Sequence, residues 1–293
     1  MIKLPASAIR RAVRQGLEED LGQGDVTTSA LFAKPVPSSA KIIAQQALVV
    51  AGMAAAVQTF LAVDVSLKLS ITCVDGQQAK YGESLLRIEG DGRSILMAER
   101  IALNFLQHLS GVATLTHQFC QAVRGYPVAI LDTRKTLPGW RSIQKWAVAL
   151  GGGVNHRASL GDGIMIKDNH LALLKNPKTA IRTACRLTNA NAPEDLPTIV
   201  EVESLAQVKQ AIAGQADIIL LDNMTPSMVR RAVKLINRRA LVEVSGGITL
   251  QNVRAMAAAG PDRISIGALT HSAPAASMSL ELAAITRGRR RRP

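Results

Sequence analysis

Hydrophobic residues near the start of the chain recur at the spacing of a helix. They are Ile9, Val13, Leu17 and Leu21, each four positions after the last. Residues spaced in this way share one face of an α-helix, so we expect a helix over residues 7–21. The turn-forming residues of GQGDVTTSALF then predict a loop.

The stretch that follows has the pattern of β-strands. Hydrophobic residues alternate, or β-forming residues are frequent, over residues 40–51, 67–74 and 84–90. An Asp-Gly pair at 75–76 and a Tyr-Gly pair at 81–82 mark turns. The pattern predicts an antiparallel sheet, with a helix over residues 52–63.

Residues 97–125 keep helical periodicity for most of their length. Ser110 and Gly111 interrupt the pattern, and glycine is unfavourable inside a helix. We therefore expect two helices, which lead from the first domain to the next.

From residue 128 the pattern changes to short hydrophobic strands, each followed by a helical pattern. The clear strands are VAILD, TIVEV, DIILLD, ALVEV and RISIG, and their polar ends fall at Asp132, Glu201, Asp222, Ser245 and Gly267. The last four of these positions are 21, 23 and 22 residues apart, the length of a βα unit. Repeated βα units form a parallel sheet, and strands that are hydrophobic throughout are covered on both faces, as in a barrel.

The polar ends of parallel strands meet at one rim of a barrel. The carboxylates of Glu201 and Asp222 can then face one cavity. Lys135 and Lys167 can reach the same cavity, and such an arrangement suits stabilising a sugar cation and holding a metal. Ordinary ion pairing at the loop entrances is the alternative.

Two glycine-containing segments suggest a phosphate site on this rim. SGG at 245–247 precedes a helix, and GALTH at 267–271 follows a strand. Backbone N–H groups in such segments can bind a phosphate, and phosphate sites commonly lie near the last strands of a barrel.

The segment GGGVNHRASLGDGIMIKDNH, at 151–170, is rich in both glycine and ionisable residues, so it is poor core material. Its glycines allow backbone to approach a ligand closely. Asn155, His156, Arg157 and Lys167 supply hydrogen-bond donors and positive charge. We expect it to bind a small polyanion, and a solvated surface loop is the alternative.

Composition narrows the function classes. The formal net charge is +13, and the last seven residues, RGRRRRP, hold five arginines, so the rest of the chain still carries +8. A basic body fits anionic substrates. The arginine tail could bind nucleic acid nonspecifically, but no aromatic residues are interleaved with it, and we expect it to be disordered.

Neither a signal peptide nor a membrane span is indicated, so we expect a cytoplasmic protein. Cys73, Cys120 and Cys185 are scattered without CxxC pairing, which predicts reduced thiols rather than disulfides or a zinc site.

The chain resembles the quinolinate phosphoribosyltransferase family over nearly its whole length. The resemblance is carried by EEDLGQGDVTT, AERIALNFLQHLSGVAT, DTRKTLPGWR, KWAVALGGGVNHR, IKDNH, VEVES, LLDNM, SGGIT and ISIGALTHS. It implies an α/β fold with an N-terminal α/β sandwich domain, residues 1–112, and a C-terminal open α/β barrel of parallel strands, residues 113–272. Residues 273–293 would return to the sandwich domain and end in the disordered tail.

The resemblance also implies a reaction. Quinolinate and 5-phosphoribosyl 1-pyrophosphate (PRPP) would give nicotinate mononucleotide, pyrophosphate and CO₂, as in de novo NAD biosynthesis. Mg²⁺ would be the cofactor, held largely by the pyrophosphate. The enzyme would be a homodimer whose active sites borrow residues from the partner's sandwich domain.

Family roles carry over to individual residues. Those that would bind quinolinate are Arg134, His156, Arg157 and Lys167, with Arg100 from the second subunit, and Thr133 and Met165 as further substrate-binding residues. Those that would act on PRPP are Lys135, then Glu201 and Asp222 at the ribose hydroxyls or the metal, and Ser245, Gly246, Gly247, Gly267 and His271 at the 5′-phosphate. Lys135, Glu201 and Asp222 would be the catalytic residues.

Two positions depart from the family pattern. Gln144 stands where the family usually has Glu, and Ser277 where Asp is expected. A paralogue associated with molybdenum transport, which shares the DTRKT-like and barrel motifs, is therefore one alternative. A basic protein that binds nucleic acid through its arginine tail is the alternative from another class.

Overall fold

A computed structural model gives the structure of residues 6–174, 179–193 and 195–285. The chain forms two units. The first contains the residues up to Leu115, Leu137–Gly152 and the residues from Ala273 onward, and the second contains Thr116–Thr136 and Gly153–Ser272. The predicted arginine tail at 287–293 lies outside the described residues.

Twelve ranges form strands in the described part of the chain. They are β1 (Pro37–Ala44), β2 (Leu48–Val49), β3 (Lys68–Ile71), β4 (Gln78–Ala79), β5 (Ser84–Asp91), β6 (Ala129–Leu131), β7 (Ile164–Ile166), β8 (Thr198–Val202), β9 (Ile218–Asp222), β10 (Leu241–Ser245), β11 (Arg263–Ser265) and β12 (Met278–Ala284).

Eleven ranges form helices in the same part of the chain. They are α1 (Ala6–Leu21), α2 (Val26–Leu31), α3 (Met53–Val63), α4 (Gly92–Ala122), α5 (Arg141–Leu150), α6 (Asp168–Ala172), α7 (Ala180–Asn191), α8 (Leu205–Ala213), α9 (Pro226–Ile236), α10 (Val253–Ala257) and α11 (Ala268–His271). No helix among the described residues combines the length and the hydrophobicity that crossing a membrane requires.

The first unit is built on an antiparallel sheet of order β12-β1-β5-β3. Alternate residues of β1 are buried because successive side chains of a strand point to opposite faces. Ile42 lies in that buried row, and the side chains of Phe60 and Leu106 belong to the same core. Strand β12 did not stand out in the sequence, and it covers the edge of β1 with Leu280 opposite Ile42.

The predicted break in the long helix is wrong. Helix α4 runs unbroken through Ser110 and Gly111. The Ser110 hydroxyl accepts a hydrogen bond from Ala51 N at 2.9 Å, and a Cβ at Gly111 would overlap the carbonyl oxygen of Pro274. The two small residues therefore allow other backbone to approach the helix closely, and this packing outweighs their low helix propensity.

Residues 137–152 belong to the first unit, whereas the sequence boundaries assign them to the barrel domain. The reason is packing. Trp140 stacks on Phe105 with ring centroids 4.9 Å apart, and the buried Gln144 Nε2 lies 2.9 Å from His108 Nε2. Burial lowers the pKa of His108, so a neutral amide suits this position.

The second unit contains a parallel sheet of order β6-β11-β10-β9-β8-β7, with helices between successive strands. Strands β6 and β7 are its edges, so the sheet is open. Two of these helices begin with a side-chain cap: Ser204 Oγ accepts from Gln207 N at 3.3 Å, and Thr225 Oγ1 accepts from Met228 N at 3.4 Å. The α/β fold class predicted from the sequence is confirmed.

The strand register determines which residues lie side by side on neighbouring strands of the sheet. Glu201 on β8 and Glu243 on β10 both pair with Leu220 on β9. Two residues further along, Asp222 on β9 pairs with Ser245 on β10. Because side chains two apart on a strand point to the same face, these two levels lie one above the other on one face of the sheet.

Candidate active site

The second unit has a cavity of about 490 Å³ at the carboxyl ends of its parallel strands. The side chains that line it come from several strands and from the loops that follow them. They are Thr133, Arg134, Lys135, His156, Arg157, Met165, Lys167, Glu201, Leu220, Asp222, Glu243, Ser245 and Ser265. The cations and acids that the sequence assigned to one rim therefore share one cavity.

A small hydrophobic cluster borders the charged level. Ile199, Ile218 and Leu220 are buried and Met165 packs against them. Ile199 and Ile218 precede Glu201 and Leu220 by two residues, and Leu220 lies at the level of the acids. The acids beside this cluster line the cavity.

One wall of the cavity is positively charged. Arg157 donates from Nη1 to Gly163 O at 2.8 Å. Burial, and then the neighbouring charge of Arg134, lowers the pKa of Arg157, while Asp162 opposes that shift. The buried Nε of Arg134 has no hydrogen-bond partner among the described residues. Two neighbouring guanidinium groups, one of which has an unused N–H donor, favour the binding of an anionic ligand.

A buried carboxylate holds this wall in position. Asp132, 0% exposed, accepts hydrogen bonds from His156 N at 2.8 Å and from Asn155 Nδ2 at 2.6 Å. Val154 N also donates to Ile130 O at 2.8 Å, so the chain from Val154 runs beside β6. Asp132 was seen in the sequence only as a strand end, and the structure shows it as the anchor of the Asn155–Arg157 segment.

Acids line the same cavity. Glu201 forms an ion pair with Lys167. Burial raises the pKa of Asp222, the charges of Glu201 and Glu203 raise it further, and Lys167 and Lys135 act in the opposite direction. Asp222 is thus a half-buried carboxylate close to other carboxylates, which is a favourable place for a positive charge.

Glu243 is a cavity residue that the sequence reasoning missed. Its side chain is 0% exposed, and its Oε1 lies 3.3 Å from His156 Nε2. The Ser265 hydroxyl donates to the same carboxylate. A signal was present, because Glu243 precedes Ser245 by two residues and so points to the same face of the sheet.

The predicted phosphate residues are only partly brought to the cavity. Ser245 lines it, whereas Gly246, Gly247, Gly267 and His271 are not among its lining residues. A Cβ on Gly267 would lie 2.9 Å from His271 Nε2 and 3.2 Å from Lys135 Cδ, so these groups are neighbours.

Gly246 and Gly247 have positive φ angles, of 89° and 60°. A side chain at Gly246 would overlap Asn223. The turn after β10 therefore requires glycine at position 246.

Arg100 is exposed on α4 in the first unit and is not among the lining residues of this cavity. Gln144 and Ser277, the two departures from the family pattern, do not line it either.

Comparison with known proteins identifies the family. The model of the quinolinate phosphoribosyl transferase N-terminal domain matches residues 25–110, and that of the C-terminal domain matches residues 112–281. The chain belongs to the quinolinate phosphoribosyl transferase family.

Individual relatives of this family are similar over nearly their full length. The nicotinate-nucleotide pyrophosphorylase [carboxylating] of Mycobacterium leprae is 40% identical over 282 residues, 94% of this chain and 97% of that protein. The probable enzyme of the same name from Bacillus subtilis is 38% identical over 264 residues, 90% of each chain. The structure of the nicotinate-nucleotide pyrophosphorylase from Francisella tularensis has a TM-score of 0.87 at 35% identity, covering 96% of this chain and 98% of that one.

Because the like charges of Arg134 and Arg157 lie close together, we expect a small dicarboxylate to bind beside them and stabilise the folded protein. We expect phthalate, which has two adjacent carboxylates, to raise the thermal unfolding midpoint, since a ligand at 100 times its Kd adds about 2.7 kcal/mol. Arg157→Met should lose most of that rise. Differential scanning calorimetry with and without phthalate measures it.

Arg231→Met, at an exposed position on α9, is the matched control and should keep the full rise. An equal rise in the Arg157 variant would show that the anion binds elsewhere.

Proposed function

We propose that this chain is a quinolinate phosphoribosyltransferase that forms nicotinate mononucleotide, pyrophosphate and CO₂ from quinolinate and PRPP. One observation carries the proposal. A single cavity brings the cations Arg134, Arg157 and Lys167 together with the acids Glu201 and Asp222. Such a cavity can hold two anionic substrates and stabilise a positive charge that appears between them.

Quinolinate has two adjacent carboxylates, which suits the positive wall. The buried Nε of Arg134 donates to no described residue, and the positive charge of Arg134 lies close to that of Arg157. Both effects are relieved by a bound carboxylate. Lys167 would exchange part of its pairing with Glu201 for the second carboxylate. Thr133 and Met165, in the same lining, would contact the ring.

PRPP would lie on the other side of the cavity. Lys135 is exposed there, next to Gly267 and His271. These residues, with Ser245 and the backbone N–H groups of the following glycines, would bind the phosphates of PRPP.

The acids act on the transition state. When the bond between the ribose C1 and the pyrophosphate oxygen breaks, C1 becomes positively charged. Ionised Asp222 and Glu201 stabilise that charge electrostatically, and the pyridine nitrogen of quinolinate then forms its bond to C1. Because the cavity would hold both substrates side by side, the pyridine nitrogen can reach C1 directly, and the reaction needs no covalent bond to the enzyme.

Loss of CO₂ follows from the new charge on the ring. When the bond between the adjacent ring carbon and its carboxylate breaks, CO₂ leaves and the electron pair stays on that carbon, where the positive nitrogen stabilises it. The carbon then takes a proton from water. The residues of the chain hold the ring in place during this step.

Mg²⁺ fits the donor set if the substrate supplies most of its ligands. Glu201 and Asp222 provide two carboxylates in the cavity, and the residues that the structure describes contain no group of three or more metal-binding side chains. Magnesium is commonly held by one or two carboxylates plus substrate phosphates, and it would neutralise the charge of the departing pyrophosphate.

We further propose a homodimer with shared active sites. Arg100 is exposed on α4 in the first unit, so it is accessible to a second subunit. The family resemblance assigns it to the quinolinate site of the second subunit. The cytoplasmic location expected from the sequence stays a prediction.

Turnover of purified protein tests the activity. With quinolinate, PRPP and MgCl₂ we expect equal release of CO₂ and nicotinate mononucleotide, measured by CO₂ trapping and liquid chromatography. Nicotinate should be a poor substrate, because it lacks one of the two carboxylates that the cationic wall can bind.

Two lysine variants control that assay. Lys135→Ala should reduce turnover by orders of magnitude, whereas Lys234→Ala, exposed on α9, should not. Faster turnover of nicotinate than of quinolinate would contradict the proposal.

Complementation tests the shared site. Arg100→Ala and Lys167→Ala should each be inactive alone, because each lacks one quinolinate ligand. In a co-expressed mixture, half of the dimers are mixed and each has one intact site, so about a quarter of wild-type activity should return. Steady-state assays of the co-expressed mixture, without separation of its dimers, measure the rescue.

Lys135→Ala mixed with Lys167→Ala is the control, because both changes lie in the same cavity and no intact site can form. Rescue in the control pair, or none in the test pair, would rule out sites shared in this way.

A further inference from the structure

Glu243 is a buried charge that the proposed reaction does not yet use. Its side chain is 0% exposed. Glu243 lies at the same level of the sheet as Glu201, because both pair with Leu220. Removing a carboxylate from water is costly unless other groups compensate its charge. A charge kept at such a place calls for a specific partner.

The surroundings of Glu243 compensate it only in part. The Ser265 hydroxyl donates to Oε1. Arg263 Nε lies 3.8 Å from Oε2, too far for a hydrogen bond, and Oε2 accepts none from the described residues. The remaining close group is His156, whose Nε2 lies 3.3 Å from Oε1.

The backbone determines which nitrogen of His156 carries the proton. Arg157 N donates to His156 Nδ1 at 2.7 Å. A backbone N–H can only donate, so Nδ1 presents its lone pair and the ring proton is on Nε2. Glu243 Oε1 lies 3.3 Å from that nitrogen, and both residues line the cavity.

This tautomer matters for an anionic substrate. An Nε2–H is a donor to a carboxylate, whereas the other tautomer would present a lone pair and repel it. The carboxylate of Glu243 favours the Nε2–H form, because a proton on Nε2 faces negative charge.

We propose that Glu243 is a positioning residue that holds His156 in its Nε2–H tautomer as a donor to the carboxylate of the pyridine substrate. The inference rests on the proposed function for the identity of that substrate. The state of His156 itself can be measured without turnover, so the two ideas can fail separately.

Substitution Glu243→Gln tests the proposal by kinetics. The amide can donate to Nε2 and so favours the wrong tautomer. We expect KM for quinolinate to rise about tenfold or more, which corresponds to about 1.4 kcal/mol, with KM for PRPP changed less than about twofold. Glu89→Gln, an exposed glutamate of the first unit, should leave both constants unchanged.

Nitrogen-15 NMR of histidine-labelled protein tests the tautomer directly. The chain has five histidines, and the signal lost in His156→Asn identifies the ring of interest. In wild-type protein we expect protonated Nε2 and unprotonated Nδ1, and in Glu243→Gln a shift toward the other tautomer.

Ser265→Ala, a milder change at the same carboxylate, should raise KM for quinolinate by a smaller factor than Glu243→Gln does.

The wild-type spectrum decides the matter even if Glu243→Gln does not fold. A proton on Nδ1 of His156 in the wild-type protein would overturn the proposal. So would a folded Glu243→Gln variant with unchanged tautomer and unchanged KM for quinolinate. If wild-type protein does not turn over quinolinate, the proposed function is wrong. The spectra of wild-type and Glu243→Gln protein still test whether Glu243 determines the tautomer of His156.

Discussion

The site depends on carboxylates held close to cations inside one cavity. Glu201 is paired with Lys167, and Asp222 lies near enough to Glu201 that burial and mutual repulsion raise its pKa. In the same cavity, burial and Arg134 lower the pKa of Arg157. Asp222 and Arg157 are thus held where their own charge is unfavourable, and an anion bound beside Arg157 or a transient cation beside Asp222 would relieve this.

The parallel sheet makes this arrangement possible. Its strands run in one direction, so the polar residues at their carboxyl ends reach one cavity from widely separated parts of the sequence. Register then fixes the levels, with Glu201 and Glu243 beside Leu220, and Asp222 beside Ser245. The hydrophobic cluster that includes Ile199 and Ile218 borders the charged level.

Much of the fold and cavity could be predicted from the sequence, because the βα repeat is a local pattern. Strands β9 and β10 end at Asp222 and Ser245 as the repeat indicates, and β8 ends one residue after Glu201. Packing between distant segments was harder to predict. The contact of Gly111 with Pro274 keeps α4 continuous, and the pairing of β12 with β1 depends on residues far apart in the chain.

The buried anchors of the site were missed for a similar reason. Asp132 and Glu243 were overlooked as site residues because their importance depends on what the fold brings beside them. Asp132 holds the backbone of His156, and Glu243 faces its ring. In the sequence one is a strand end and the other a polar residue inside a hydrophobic strand, and neither position alone indicates a partner.

The most direct test of the charge balance is the kinetic effect of Asp222→Asn, with quinolinate affinity measured by calorimetry on the same protein. If Asp222 stabilises the transient cation, kcat should fall about 100-fold or more while the Kd of quinolinate stays within about threefold of wild type. Asp195→Asn, exposed in the same unit, should change neither value. A near-native kcat in folded Asp222→Asn protein would contradict the account.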